Sequence, residues 1–360
     1  MKHRIAWFLA ALLLFSLCAC GAQPSPAGAA APAPTTPLPV SAPPTATPEP
    51  APTETPAVTD APTPAETPSA TEAPAEVGPV SPLLWEVTDA EGHKLYLFGT
   101  IHVGDERSDA VLARVSPVLE RCDALAVEFD IVAYTADTKR VIEDMAQYVL
   151  GGGSVVSDFM PEALYQRAFA LLKEAGLHPA LFKRYNLAMW AQLVESAMLT
   201  VNTDLDAEKA MDNLLIRHAY DKEIPVLEVE SSDFQMALLN SFDDELYLLQ
   251  IEEALDRLDT YADDLSEVYE LWLSGDKEGF WALLAEDGTG EYPEDQLALI
   301  EDYNRRMLDD RNLSMRDRAL EYLKSGDTVF FAVGSAHMAG ETGLVRLLTD
   351  AGCAVEALAY

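Results

Sequence analysis

Two stretches of this chain share one plan. Residues 95–104 read LYLFGTIHVG and residues 329–340 read VFFAVGSAHMAG. In each, an apolar run reaches a glycine, Gly99 or Gly334, and three residues later a histidine, His102 or His337. A short apolar run bounded by small residues reads as a buried strand. The fold must therefore house two interior strands, far apart in sequence, that both end by presenting an imidazole.

The elements around them follow the same logic. Residues 83–87 and 94–98 flank DAEGH, whose glycine suits a turn, so they form a β-hairpin. Residues 108–123 carry a helical pattern with Ser108 placed as its N-cap. A second apolar run, 124–130, ends in Glu128 and Asp130. Strand, helix and strand at this spacing form a βαβ unit, hence a parallel pair with a right-handed crossover. Residues 131–222 are helical in pattern, broken at Gly151-Gly152-Gly153 and near His178-Pro179. A strand at 224–229 ends in Glu228 and Glu230, and 234–323 is again mostly helical, interrupted over 286–295. The last long helix, about 294–324, carries Arg305, Arg306, Arg311, Arg316 and Arg318. Strand 328–333, helix 343–351 and strand 354–358 close the chain. The expected class is α/β: a mainly parallel sheet from two strand–GxxH–helix–strand units, with a large helical insertion as cap. The matched ends suggest an internal duplication.

The first residues predict where the domain works. Lys2, His3 and Arg4 precede a short apolar run, 5–17, which has the flanks of a secretory leader rather than a membrane span. It ends Leu-Cys-Ala-Cys, similar to a bacterial lipobox, with Ala19 at the cleavage position and Cys20 as the acylated residue. Residues 1–20 are thus read as a lipoprotein signal peptide. Residues 21–82 are Ala, Pro, Thr and Ser with scattered acids and no Lys or Arg. Such a segment has nothing to bury and reads as an extended stalk. Residues 83–360 hold the folded domain. The expected location is the cell membrane, lipid-anchored through Cys20 and facing away from the cytoplasm. The net charge of −36 opposes nucleic-acid binding, which needs Lys and Arg to displace counterions. Cys122 and Cys353 are the domain's only cysteines and form no CxxC, so they read as two thiols or one disulfide, not a zinc site.

In open α/β sheets ligands bind beyond the carboxyl ends of the strands. Four apolar runs end in ligand-type residues: His102, Glu128 with Asp130, Glu228 with Glu230, and His337. A lone histidine after a strand is most often structural, and a carboxylate there often caps a helix. The doubled motif shifts the weight toward a site. Two imidazoles and two carboxylates suit a divalent ion. Gly99 and Gly334 would let the backbone turn without a Cβ clash. Strand alternation cannot choose within either acidic pair; distance favours the later residue of each. His93 and His178 read as surface residues, and His218 as an exposed helical one.

The order FGTIH, LAVEFD, MDNLLIRHAYDKEIPVLEVESSDFQ, RNLSM and VGSAH resembles the TraB/PrgY/GumN family, which includes the Tiki proteases, described as metal-dependent. The resemblance runs from about Trp85 to the C-terminus. It implies roles for His102 and His337, for Glu128, for Glu230 ahead of Gln235, for Asp212, and for the Arg311-Asn312 pair. EVES stands where the family commonly has Gly-Leu-Glu-Thr, which leaves Glu228 against Glu230 open. The implied activity is metal-assisted hydrolysis of peptides. His102, Glu128, Glu230 and His337 would hold Mn, Co or Zn, with Arg311 at the oxyanion and Gly99, Gly334, Asp212 and Asn312 in support. Two rivals stand beside it. One is a metal-free, histidine-based hydrolase similar to erythromycin esterases. The other is a peptide-sequestering module, since TraB and PrgY are associated with blocking pheromone signalling.

Overall fold

The hairpin forms where the turn chemistry demands it. Asp89 accepts the backbone N–H groups of Glu91 and His93 on one carboxylate oxygen, at 3.0 and 2.8 Å. Gly92 takes φ +90°, a conformation that costs other residues a Cβ clash. The resulting strands, β1 (Leu84–Thr88) and β2 (Lys94–Thr100), pair antiparallel. A computed structural model describes residues 80–285 and 292–358. The expected leader with Cys20, the expected stalk as far as residue 79, and residues 286–291 of the expected break lie outside the described residues. Residues 80–82 belong to the domain rather than to the stalk. Val80 is buried, and the Ser81 N–H donates to the Leu273 carbonyl at 2.8 Å.

The remaining strands are β3 (Ala124–Val127), β4 (Val226–Glu228), β5 (Val329–Gly334) and β6 (Ala354–Ala357). They join the hairpin in one sheet of order β4-β3-β5-β2-β1-β6. The run β4-β3-β5-β2 is parallel throughout, while β1 is antiparallel to both β2 and β6. The sheet is therefore mixed but mostly parallel, and helices cover it, as the α/β reading expected.

The finer expectations change. β2 and β3 are parallel but not neighbours, because β5 lies between them. The reason is burial: every residue of β5 is buried, and a fully apolar strand takes the central slot whatever its place in sequence. β5 and β6 are likewise separated, by β2 and β1. What does pair is the two glycine-ended strands themselves, with Gly99 opposite Val333 and Thr100 opposite Gly334. β3 stops at Val127, just before Glu128, while β4 ends on Glu228, short of Glu230. Ser108 is no N-cap. The helix Arg107–Leu119 starts a residue earlier, and the buried Ser108 hydroxyl sits 3.0 Å from the Tyr269 hydroxyl.

The insertion is helical. Its helix Leu187–Asn202 buries every residue from Leu187 to Val194, so it runs through the interior of the cap. Trp272 from the helix Tyr261–Ser274 reaches the sheet and donates its indole N–H to the Gly99 carbonyl at 2.9 Å. The long basic segment is not one uniform helix. Glu294–Asn304 passes through a π-helical turn, Arg305–Asp309, into Asp310–Ser325. Cys122 and Cys353 are both free thiols. Among the described residues no helix is long and apolar enough to cross a membrane.

Candidate active site

The carboxyl ends of β2, β3, β4 and β5 lie together because those strands are parallel neighbours. Each delivers a polar group. His102 follows β2 and is pinned by the segment that leads into the helix Met211–Asp221. The Met211 N–H donates to the Ile101 carbonyl at 3.0 Å, and Gly104 and Asp206 exchange backbone bonds at 3.0 and 2.8 Å. That docking puts Asp212, in the first helical turn, against the imidazole. His102 Nδ1 lies 2.8 Å from Asp212 Oδ2, and the Thr100 hydroxyl donates to Asp212 Oδ1 at 2.7 Å. Asp212 is thus held from two sides and fixes the tautomer: Nδ1 carries the proton and Nε2 faces away.

His337 is held in the same manner by a different partner. Its Nδ1 is 2.7 Å from Asn312 Oδ1, while the Asn312 amide donates to the Thr342 carbonyl at 2.9 Å. The Thr342 bond assigns the Asn312 oxygen to the ring, so His337 Nδ1 is the donor and Nε2 keeps its lone pair.

Glu128, past the end of β3, is buried among both histidines. Its Oε1 accepts the Gly334 N–H at 2.8 Å, and its Oε2 accepts from Arg311 Nη2 at 2.5 Å and Gln235 Nε2 at 3.0 Å. Arg311 also grips Glu230, through Nε at 2.9 Å and Nη2 at 2.8 Å, and donates to the Met307 carbonyl in the π turn at 3.2 Å. Gln235 bridges to Glu230 as well, at 2.8 Å. The open choice between acids resolves. Glu230 meets Arg311, whereas Glu228 is exposed and accepts the Asp130 N–H at 3.0 Å. In the other pair the distance argument misleads. Asp130 is the N-cap of the helix Ile131–Ala136, accepting from Ala133, and it is Glu128 that enters the site.

The glycines serve close approach, not a special backbone. Gly334 has φ −49°, and Gly99 is not among the positive-φ residues. A Cβ on Gly334 would lie 3.3 Å from Glu128 Oε1, 3.4 Å from His102 Nε2 and 3.6 Å from His337 Cδ2. One on Gly99 would meet Ser335 at 3.1 Å. The expectation of a sharp turn is corrected: what these positions need is empty space. The empty space at Gly334 is where the site converges.

The electrostatics separate the groups. Burial would push the Glu128 carboxyl up, but the Arg311 guanidinium, with both histidines, holds it well below the usual carboxylate range. Burial and the Arg311 charge push His337 down to about 3, so it is neutral. Burial also opposes charge on His102, yet the Asp212 carboxylate more than offsets it and the pKa lies above the ordinary histidine value. Two imidazoles side by side thus differ in proton affinity because one rests on a carboxylate and the other on an amide.

The geometry brings His102, Asp212, Glu128, Glu230, Arg311, His337 and Asn312 together around Gly334 and leaves Asp130 and Glu228 apart from them, while Cys20 lies outside the described residues. Arg311 has another task than the one expected of it: its donors are committed to Glu128, Glu230 and Met307. The donor chemistry of His102, Glu128, Glu230 and His337 suits a divalent ion, but their spacing does not fit one. Among the described residues no three His, Cys, Asp or Glu side chains are grouped to hold a metal. Both glutamates are turned instead to the buried guanidinium. Sequence reasoning left Thr100 and Gln235 without a role. Thr100 is signalled by its place, a hydroxyl closing the strand between Gly99 and His102; Gln235 had only its spacing from Glu230. Of the histidines set aside, His178 is exposed and His93 caps its own turn against Asp89 at 2.9 Å. His218 is less exposed than expected, bonded to Glu120 at 3.0 Å.

The model of the TraB/PrgY/gumN family matches residues 83–357. The chain is 25% identical over 270 residues to the uncharacterized protein YbaP of Escherichia coli (strain K12), covering 73% of this chain and 90% of that protein. It is 26% identical over 260 residues to YbaP of Shigella flexneri, covering 70% and 87%.

Proposed function

For this chain, which belongs to the TraB/PrgY/gumN family, we propose a hydrolase acting on peptides, with the His102–Asp212 dyad as the base that activates water. One observation carries the reading: His102 Nε2, His337 Cδ2 and Glu128 Oε1 all lie within 4 Å of one point beside Gly334. Above the His102 pKa both imidazoles are neutral, and their Nε2 atoms are acceptors beside the Glu128 carboxylate. A water in the space in front of that point donates one hydrogen to His102 Nε2 and the other to His337 Nε2 and keeps its lone pairs free for attack. As the new bond to the carbonyl carbon forms, the carbonyl electron pair moves onto its oxygen and His102 Nε2 takes the water proton, Asp212 steadying the imidazolium; collapse of the intermediate then breaks the C–N bond as the imidazolium gives that proton to the leaving amine. His337, held neutral, orients the water without competing for its proton. Arg311 and Gln235 keep Glu128 ionised and turned toward the histidines. His102, 8% exposed against 3% for Glu128 and 4% for His337, is the side from which water and substrate enter.

No step here runs through a metal, because the residues as spaced do not fit one. The test is cleavage of a peptide mixture by the purified protein, read by mass spectrometry before and after exhaustive chelation. Cleavage that survives chelation and is lost in His102→Ala supports the reading. Cleavage lost to chelation and restored by Mn, Co or Zn transfers water activation to an ion. Peptide bound but left intact makes the protein a sequestering module. The leader-like start and the Leu-Cys-Ala-Cys run support a site outside the cytoplasm, tethered by an acylated Cys20 through a stalk over 21–79. A Cys20→Ala variant that still partitions with membranes and still incorporates labelled palmitate refutes that tether.

A further inference from the structure

Gln235 is 2% exposed and belongs to the helix Ser232–Leu239. Its amide orientation is set by its neighbours. One nitrogen donates to two carboxylates, Glu128 Oε2 at 3.0 Å and Glu230 Oε2 at 2.8 Å. Turning the amide over would press its oxygen against both anions, so Nε2 must face them. That leaves Oε1 buried as an acceptor with no hydrogen-bond partner. A clamp alone does not explain this atom, since an orphaned buried carbonyl is a standing penalty. The Arg311 donors beside it already serve Glu128, Glu230 and Met307. The histidine nitrogens that face the site are acceptors too. What the corner lacks is a hydrogen-bond donor.

We infer that Gln235 is a specificity-determining residue whose Oε1 receives a backbone N–H of the substrate next to the bond that is cut. It thereby selects peptides over esters and N-alkylated amides. The inference rests on the peptide-hydrolase reading and deepens it. Oε1 is closed over in this structure, so the donor arrives as the substrate opens the site. A site built to hydrogen-bond a donor rejects the analogue that lacks it, because its own group is then left unpaired.

The experiment uses three matched probes built on one peptide that the protein cleaves or, failing cleavage, binds: the peptide itself, its N-methyl analogue and its ester analogue at the residue next to the scissile bond. Turnover by mass spectrometry and binding by calorimetry are measured for the full protein and for Gln235→Met, which keeps the bulk and removes the amide. The expected result is a preference of about 10- to 100-fold for the N–H probe. Gln235→Met should erase it: all three probes weaken because the amide that holds Glu128 is gone, but the N–H probe falls by about 10- to 100-fold more than the other two. Equal handling of the three probes by the unaltered protein overturns the inference, whatever the variant does. So does a variant that weakens all three alike, which is what a purely structural clamp gives, or a failure to bind or cleave any peptide. A binding preference without cleavage defeats the hydrolase reading and leaves the Gln235 assignment standing.

Discussion

Gly334→Ala puts one methyl group at the centre of the site and changes little else. The residue has φ −49° and ψ 137°, a conformation alanine adopts freely, so no backbone strain follows. The new carbon would sit 3.3 Å from Glu128 Oε1, 3.4 Å from His102 Nε2 and 3.6 Å from His337 Cδ2. The tighter contacts need shifts of a few tenths of an ångström. Alanine at an unstrained position gains roughly 0.4–1 kcal/mol from the unfolded state, and mild overpacking takes back about 1 kcal/mol or somewhat more. Net stability should change by about 1 kcal/mol at most, a shift of roughly 2–4 °C in Tm for a domain of this size. The methyl does, however, intrude on the space between His102, Glu128 and His337 in front of which the water is proposed to sit. Misplacing a reacting group by about 1 Å is enough for a loss on the order of 100-fold, close to 2.7 kcal/mol in the barrier. Thermal unfolding alongside kcat/KM on a cleaved peptide separates the two effects. A folded Gly334→Ala protein that keeps kcat/KM within about threefold of the original refutes the idea that chemistry happens there.

Further outcomes follow from the same geometry. Arg311→Met leaves Glu128 and Glu230 buried and unpaired, so urea unfolding should show a loss of roughly 3–5 kcal/mol. Arg311→Lys should recover only part, since one ammonium cannot reproduce the forked contacts. His102 must be neutral to take a proton and its pKa is raised by Asp212, so kcat/KM should climb through an inflection above the usual histidine value. Asp212→Asn should move that inflection down. Folding holds His337 at about 3 against its ordinary 6.5, and the unfolded chain therefore binds the extra proton between these values. Stability should fall as pH drops below 6.5, and His337→Gln should flatten that slope. The reverse sign holds for Glu195, on the helix Leu187–Asn202, whose carboxyl burial pushes up from 4.5 to about 7 despite nearby Arg257. There the folded state binds the extra proton, so stability is lost as pH rises from 4.5 to 7, and Glu195→Gln should melt higher than the original at pH 8.

Local pattern announced much of this molecule. The apolar runs ahead of Gly99 and Gly334 are central strands, and the residues that follow them do meet. Pairing was hidden because it is non-local: nothing near β2 says that β5, from the far end of the chain, will slot in before β3. The choice of Glu128 over Asp130 was equally invisible to alternation, since both share a face, and was decided by Asp130 serving as a helix cap. Arg311 sits among other basic residues on a helix, and nothing in that local pattern sets it apart as buried. Only the π turn and the two carboxylates above it make it a buried clamp. The glycines were marked correctly, for the wrong physical reason.

In the proposed hydrolysis His102 and Asp212 act as one base. A double-mutant cycle on peptide cleavage tests it most directly: His102→Ala, Asp212→Asn, and both together, each checked for folding. Residues working as a unit are not additive, so the pair of changes should be no more damaging than His102→Ala alone. Losses that multiply, or full turnover in His102→Ala, would contradict it.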